Sequence, residues 1–172
     1  MKRVIIAFVT LIFLSSCSAQ EKVSPDIFIE RFSAADVNVT FNGNPEFCDD
    51  GKYTYYFTYA GLPLVAEIHI DGQENAKKIN LACSEAGKAE LFRQCAESVI
   101  CVYSPEEKAD EIIDLLFRGK DRDGTFLYHE THWYTYSVVL SENGLFFSME
   151  NRKLSPRSEV ELSLKPNDIV EY

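Results

Sequence analysis

Apolar and polar residues alternate with a period of two through most of this chain, in two sets of runs separated by a helical stretch. Residues 37–42, 52–60, 63–71 and 77–83 read as one antiparallel meander, and residues 124–129, 132–140, 144–152 and 158–164 as a second. Asp50-Gly51, Ala60-Gly61, Asp71-Gly72 and Glu142-Asn143-Gly144 stand between the runs, where glycine supplies the positive φ that tight turns need. Each set is preceded by a helix signal. Ser24-Pro25 and Ser104-Pro105 place an N-cap residue before a proline suited to the first helical position, and Glu107 completes a capping box in the second. Ile27, Phe28, Ile29 and Phe32 form an apolar patch after the first signal, while Ala109, Ile112, Ile113, Leu116 and Phe117 follow helical spacing after the second. Residues 86–103, with Leu91, Phe92, Cys95, Val99 and Tyr103 in helical register, predict a linker helix, and residues 99–103 also fit a short strand.

The two sets match in order. Phe32, Asp36 and Thr40-Phe41 correspond to Phe117, Asp121 and Thr125-Phe126, and Tyr53-Thr54-Tyr55 to Tyr134-Thr135-Tyr136. Gly61-Leu62 with Glu67 corresponds to Gly144-Leu145 with Glu150, and Ile79-Asn80-Leu81 to Val160-Glu161-Leu162. The expectation is an α+β fold of two tandem αβ4 repeats, 24–83 and 105–164, with helices packed on one face of antiparallel sheet. The alternative is the amphipathic likeness that any two αβ segments share. The repeats, joined by the linker helix 86–103, would form a single globular domain spanning 24–172.

Alternation also sorts the strand residues into faces. Tyr53, Tyr55, Phe57 and Tyr59 share the helix-covered face with Leu62, Leu64, Ala66, Ile68 and Ile70, as do Tyr134, Tyr136, Val138, Leu140, Leu145, Phe147 and Met149 in the second set. The opposite face carries Thr54, Tyr56, Thr58, Glu67, His69 and Asp71, then Trp133, Thr135, Ser137, Ser148, Glu150 and Arg152. An open sheet face with stiff aromatics among polar groups suits protein binding, and it equally fits an ordinary solvated face. Tyr56, Glu67, His69, Trp133, Glu150 and Arg152 are the candidate partner-binding residues.

Composition and the N-terminus add an address. The 172 residues are 46% apolar and 26% charged, which excludes a disordered tail, and 17 basic against 27 acidic side chains give a formal charge of −10, which disfavours nucleic acid as a partner. Lys2 and Arg3 precede an apolar run over residues 4–14, the length of a signal-peptide core and too short to span a bilayer. Leu14-Ser15-Ser16-Cys17 closes it and resembles the lipobox of bacterial lipoproteins. That resemblance implies a signal peptide over 1–16 and lipidation of Cys17; an ordinary secretory signal cut near Ala19-Gln20 is the alternative. In the lipoproteins it resembles, an aspartate after the cysteine favours inner-membrane retention, so with Ser18 at that position the resemblance implies an outer-membrane anchor facing the periplasm. Losing residues 1–16 removes two of the 17 basic side chains and none of the 27 acidic ones, so the mature formal charge is −12. Residues 17–23 form the lipidated N-terminus and a tether about 20 Å long at full stretch. In an oxidising compartment Cys48, Cys83, Cys95 and Cys101 form an even set with three possible pairings, and the strand order favours Cys48 with Cys101 and Cys83 with Cys95. Buried, reduced cysteines are the alternative.

No catalytic or cofactor motif stands out, so neither an enzyme nor a cofactor is expected. His129-Glu130-Thr131-His132 falls one residue short of the zinc-protease spacing, and Asp121-Arg122-Asp123-Gly124 lacks the first carboxylate of a calcium loop, so no metal is expected. Two αβ4 units joined by a helix in an exported chain resemble, in architecture, the secreted β-lactamase inhibitor proteins, whose saddle-shaped sheet grips an enzyme. Helices on an antiparallel sheet also resemble small outer-membrane assembly lipoproteins. The first likeness implies an inhibitor or immunity-type module for a basic toxin or hydrolase. The second implies an envelope assembly or maintenance factor, and a small-ligand or metal-binding protein is the remaining class.

Overall fold

The computed structural model describes residues 23–48, 50–118 and 125–155. The signal peptide, Cys17, residues 121–124 and the run expected at 158–164 lie outside them. Helix α1 (Pro25–Ala35) begins as its sequence dictates: Ser24 is the extended N-cap, its hydroxyl accepts from the Ile27 N–H at 3.4 Å, and Pro25 takes a position whose N–H would have no helical partner. Strands β1 (Val39–Phe41), β2 (Glu46–Cys48), β3 (Lys52–Tyr59), β4 (Leu62–Ile70) and β5 (Ala76–Cys83) follow. A 3-10 turn over Ala86–Lys88 leads into α2 (Ala89–Tyr103), and then come α3 (Ala109–Leu116), β6 (Thr125–Glu130), β7 (Tyr134–Ser141) and β8 (Gly144–Asn151). Residues 99–103 are therefore helical.

All eight strands join one sheet in the order β1-β3-β4-β5-β8-β7-β6, with β2 also on the outer edge of β3, and every pairing is antiparallel. The β3–β4 hairpin closes through Ala60 and Gly61, both at positive φ, the two-residue turn whose twist matches that of the strands. The seam lies between β5 and β8, where Ile79 faces Met149 and Leu81 faces Phe147. Strand β2 was not anticipated; its Glu46, Phe47 and Cys48 are half-exposed or exposed, and it lacks the alternation that marks a strand.

The second helix differs from expectation. Ser104 does not open a helix: its N–H closes α2 on the Ile100 carbonyl at 2.9 Å, and its carbonyl accepts from Glu107 N at 2.9 Å, so residues 105–108 form a turn and α3 starts at Ala109. Glu107 turns its carboxylate to the Thr131 hydroxyl, 2.6 Å away, instead of boxing a helix start. The backbone turn after Ser104 separates it from the Ala109 start, so its hydroxyl caps no helix.

The expected faces are found in the main, but Tyr53 and Ile70 of the helix-covered set are only half-buried, and Thr54 and Ser148 of the open-face set are buried. Tyr55, Phe57, Tyr59, Leu62, Leu64, Ala66, Ile68, Tyr134, Tyr136, Val138, Leu140, Leu145, Phe147 and Met149 are all buried with the inner sides of the helices. From α1, Phe32 meets Phe57 edge-on with 5.9 Å between centroids, and Phe41 of β1 lies 5.3 Å from Phe57. From α2, Tyr103 packs edge-on against Tyr134 at 5.7 Å and donates its hydroxyl to the Ala76 carbonyl. Helix α2 lies between the other two, packing against both α1 and α3. No helix among the described residues is long and apolar enough to cross a membrane.

Asp36 ties α1 to α2. Its Oδ1 accepts from the Asn38 N–H and side-chain amide, both at 2.9 Å, and its Oδ2 from the Ser98 hydroxyl at 2.8 Å. Burial pushes this carboxyl up, but the Asn38 and Ser98 hydrogen bonds outweigh it and hold the acid below its usual range. A folded-state pKa below the unfolded one gives stability that is full above the ordinary aspartate value of about 3.9 and is lost as pH falls through the folded value. Asp36→Ala should cost about 2 kcal/mol at neutral pH, and the stability gap between variant and native chain should narrow as pH falls below the ordinary aspartate value and through the lower folded one. A gap that stays constant into that range would show that the carboxylate charge is irrelevant.

Candidate functional site

The helices leave the other face of the sheet uncovered by any described helix, and the strand register arranges that face in rows. The first row runs Lys52, His69, Lys78, Glu150, Thr135, Glu130 across β3, β4, β5, β8, β7 and β6. The second runs Thr54, Glu67, Asn80, Ser148, Ser137, Tyr128, and the third Tyr56, Val65, Ala82, Phe146, Val139, Phe126. Two polar rows thus lie beside one that is apolar from edge to edge. At strand spacings of about 4.8 Å the apolar row is about 24 Å long. Its ends are well exposed, Tyr56 at 44% and Phe126 at 61%, with Tyr128 at 52% beside Phe126; Ala82 is exposed, and Val65, Phe146 and Val139 are half-exposed.

The polar rows are held by ion pairs. Lys52 Nζ lies 2.9 Å from Glu67 Oε1, and Lys78 Nζ lies 3.4 Å from Glu150 Oε2. The Lys52 hydrogen bond holds the Glu67 carboxyl below its usual range against the effect of burial, and the same bond raises the Lys52 ammonium. His69 Nε2 sits 4.0 Å from Glu67 Oε2 and 3.3 Å from the Asn80 side-chain nitrogen, from which a neutral imidazole accepts. Burial lowers the His69 pKa, the charges of Lys78 and Lys52 lower it further, and Glu67 opposes them, so the ring is neutral at neutral pH. The buried Asn80 Oδ1 has no partner among the described residues.

Of the six candidate residues, Tyr56, Glu67, His69 and Glu150 lie in these rows. Arg152 follows β8; its Nη1 donates to the Thr131 carbonyl at 2.8 Å and lies 3.7 Å from Glu130 Oε2. Trp133 sits just ahead of β7, half-buried against the core, with Lys153 Nζ 3.5 Å above its ring and His132 edge-on at 4.5 Å. One face of the indole is therefore already engaged by a cation of the same chain. Sequence reasoning missed the apolar row. Val65, Phe146 and Val139 have the same alternation parity as the residues it did name, Ala82 and Phe126 lie on strands whose faces it did not assign, and only alignment across six strands makes them one feature.

The remaining chemistry lies apart. Cys48, Cys83, Cys95 and Cys101 carry free thiols rather than the two expected disulfides. Cys48 is on edge strand β2, Cys101 is exposed on α2, and the Cys83 sulfur receives the Glu85 N–H at 3.3 Å, closing the turn after β5. Burial pushes the Cys83, Cys95 and Cys101 thiols up, away from the reactive thiolate. His129 stacks over Tyr136 with 6.5 Å between centroids, whereas His132 packs on Trp133, so the two histidines do not converge. Among the described residues no three His, Cys, Asp or Glu side chains gather as a metal site. No protein-family model, curated protein or solved structure matches the chain.

Proposed function

We propose that this chain is a periplasm-facing outer-membrane lipoprotein, anchored through Cys17, that binds a protein partner through the open sheet face and acts as an inhibitor or immunity-type module. One observation carries the reading: the third row sets six apolar side chains in line on a face that no described helix covers, and contiguous exposed apolar surface beside a polar rim is what protein partners bury. The acidic chain favours a basic partner such as an exported toxin or hydrolase. The tandem αβ4 duplication is part of the same proposal. It is supported by equal registers in the two central hairpins, where Thr54 faces Glu67 and Thr135 faces Glu150, and by Tyr-Thr-Tyr in both leading strands.

The test is a pull-down from oxidised envelope extract with the full-length chain. Recovery of a basic exported protein, with at least about tenfold weaker capture by Tyr56→Ala or Phe126→Ala, supports the reading. Recovery of only outer-membrane assembly components overturns the inhibitor role. Cys17→Ala should release the protein from the membrane fraction; unchanged membrane retention would overturn the anchor.

A further inference from the structure

The first row of the open face is divided by sign. Its β3–β5 half holds Lys52 and Lys78, and its β8–β6 half holds Glu150 and Glu130. We propose that this face also pairs with the same face of a second copy of the chain, about a two-fold axis parallel to the strands and centred between β5 and β8. The pairing goes beyond the proposed function and uses the same surface, so a foreign partner and a second copy would compete for it.

The argument is one of symmetry. Such an axis brings β3 opposite β6, β4 opposite β7 and β5 opposite β8 of the second copy, and each row faces its own reverse. Lys52 then faces Glu130 of the second copy, and Lys78 faces Glu150. In the apolar row Tyr56 faces Phe126, Val65 faces Val139, and the small Ala82 faces the large Phe146. Each of these contacts occurs twice. Glu67, the acid of the second row, faces Ser137, so no like charges meet among the three rows.

Other axes fail on the same residues. A two-fold along the first row would set Lys78 against Lys78 and Glu150 against Glu150. One along the second row would press the charged row onto the apolar row, desolvating ions against hydrocarbon. With the axis along the strands, the Lys78–Glu150 pair of each copy lies beside that of the other, so the four charges alternate around the axis and none loses its own partner.

Two further features agree. Sheets pack face to face about 10 Å apart with aligned strands, and three rows across six strands present about 600 Å2 per copy once side-chain relief is included, about 1,200 Å2 in total, the lower bound for a stable interface. The Ala76 N–H donates to the Val23 carbonyl at 2.8 Å, so the chain reaches the sheet at the first-row end of β5. An axis parallel to the strands leaves both copies with that end on the same side. Two chains anchored through Cys17 would then pair on one membrane, where tethering raises their effective concentration.

Sedimentation of the full-length chain in detergent, with micelles in large excess over protein, tests the proposal. The native chain should dimerise at micromolar concentration. Lys52→Glu and Glu130→Lys should each weaken the dimer at least about tenfold, because each sets like charges face to face twice. An equimolar mixture of the two variants should recover the dimer: each substituted position then meets one of opposite charge, and each native position meets a native one. A monomeric native chain, or a mixture no better than either variant alone, overturns the pairing. Partner capture by a monomeric chain would leave the binding function standing, whereas a dimer that captures no partner would support the pairing and count against that function.

Discussion

Phe57→Ala is expected to destabilise the protein by about 4 kcal/mol, a larger effect than any substitution on the open face. The ring is 1% exposed and lies where three elements converge: Phe32 of α1 meets it edge-on and Phe41 of β1 lies 5.3 Å away. Removing it withdraws a phenyl group from the contact that seats α1 on the sheet, and alanine cannot fill the cavity. The neighbours are held by α1 and β1 and cannot fully collapse into the gap. In a domain of this size the loss corresponds to a melting temperature lower by about 15 °C. Thermal denaturation measures it, with Tyr56→Ala, one residue earlier and on the opposite face, as the internal comparison. Tyr56→Ala should cost less than about 1 kcal/mol. Equal losses at the two positions would contradict the two-faced sheet.

Gly144→Ala is expected to cost about 3 kcal/mol, although it adds a single methyl group. Gly144 opens β8 at φ +152°, a conformation that residues with a side chain seldom adopt. A Cβ there would stand 2.6 Å from the Cys83 carbonyl oxygen. The obstacle is backbone at the end of β5 and cannot rotate away as a side chain would. The position lies at the β5–β8 seam, next to the Leu145–Cys83 pair, so relief of the clash must open the pairing that joins the two halves of the sheet. Chemical denaturation would show the loss, and amide exchange at Leu81 and Cys83 should rise with it. At Gly61, whose added Cβ would meet nothing within 4 Å, alanine should cost only the strain of a positive φ, about 1 kcal/mol. Equal costs at the two glycines would show that the approach to Cys83 is not what Gly144 serves.

The amino-acid sequence by itself determined most of the local structure of the described residues and most of the inside and outside of the sheet. Alternation in the Tyr53–Tyr59 and Tyr134–Leu140 runs assigned each side chain to a face because the pleat has a period of two whatever the strand pairs with. The Ser24-Pro25 pair fixed the start of α1 because a cap acts within one helical turn. Local reading failed at Ser104, which matched a cap, because α2 runs on to Tyr103 and a turn over residues 105–108 follows before the next helix starts. Strand β2 lacked any pattern because its partner Lys52–Thr54, not its own burial, holds it in place.

Tertiary structure alone decided how the strands lie side by side. The pairing of β5 with β8 joins residues more than sixty positions apart, and no turn chemistry specifies it. It buries Ile79, Leu81, Phe147 and Met149 completely on the helix-covered side. That one pairing turns two meanders into a continuous sheet. It also brings Val65 and Ala82 into line with Phe146, Val139 and Phe126, and it sets Lys78 beside Glu150. The candidate binding surface was therefore present in the sequence as scattered residues of the right parity, and it became a surface only when the seam fixed their register.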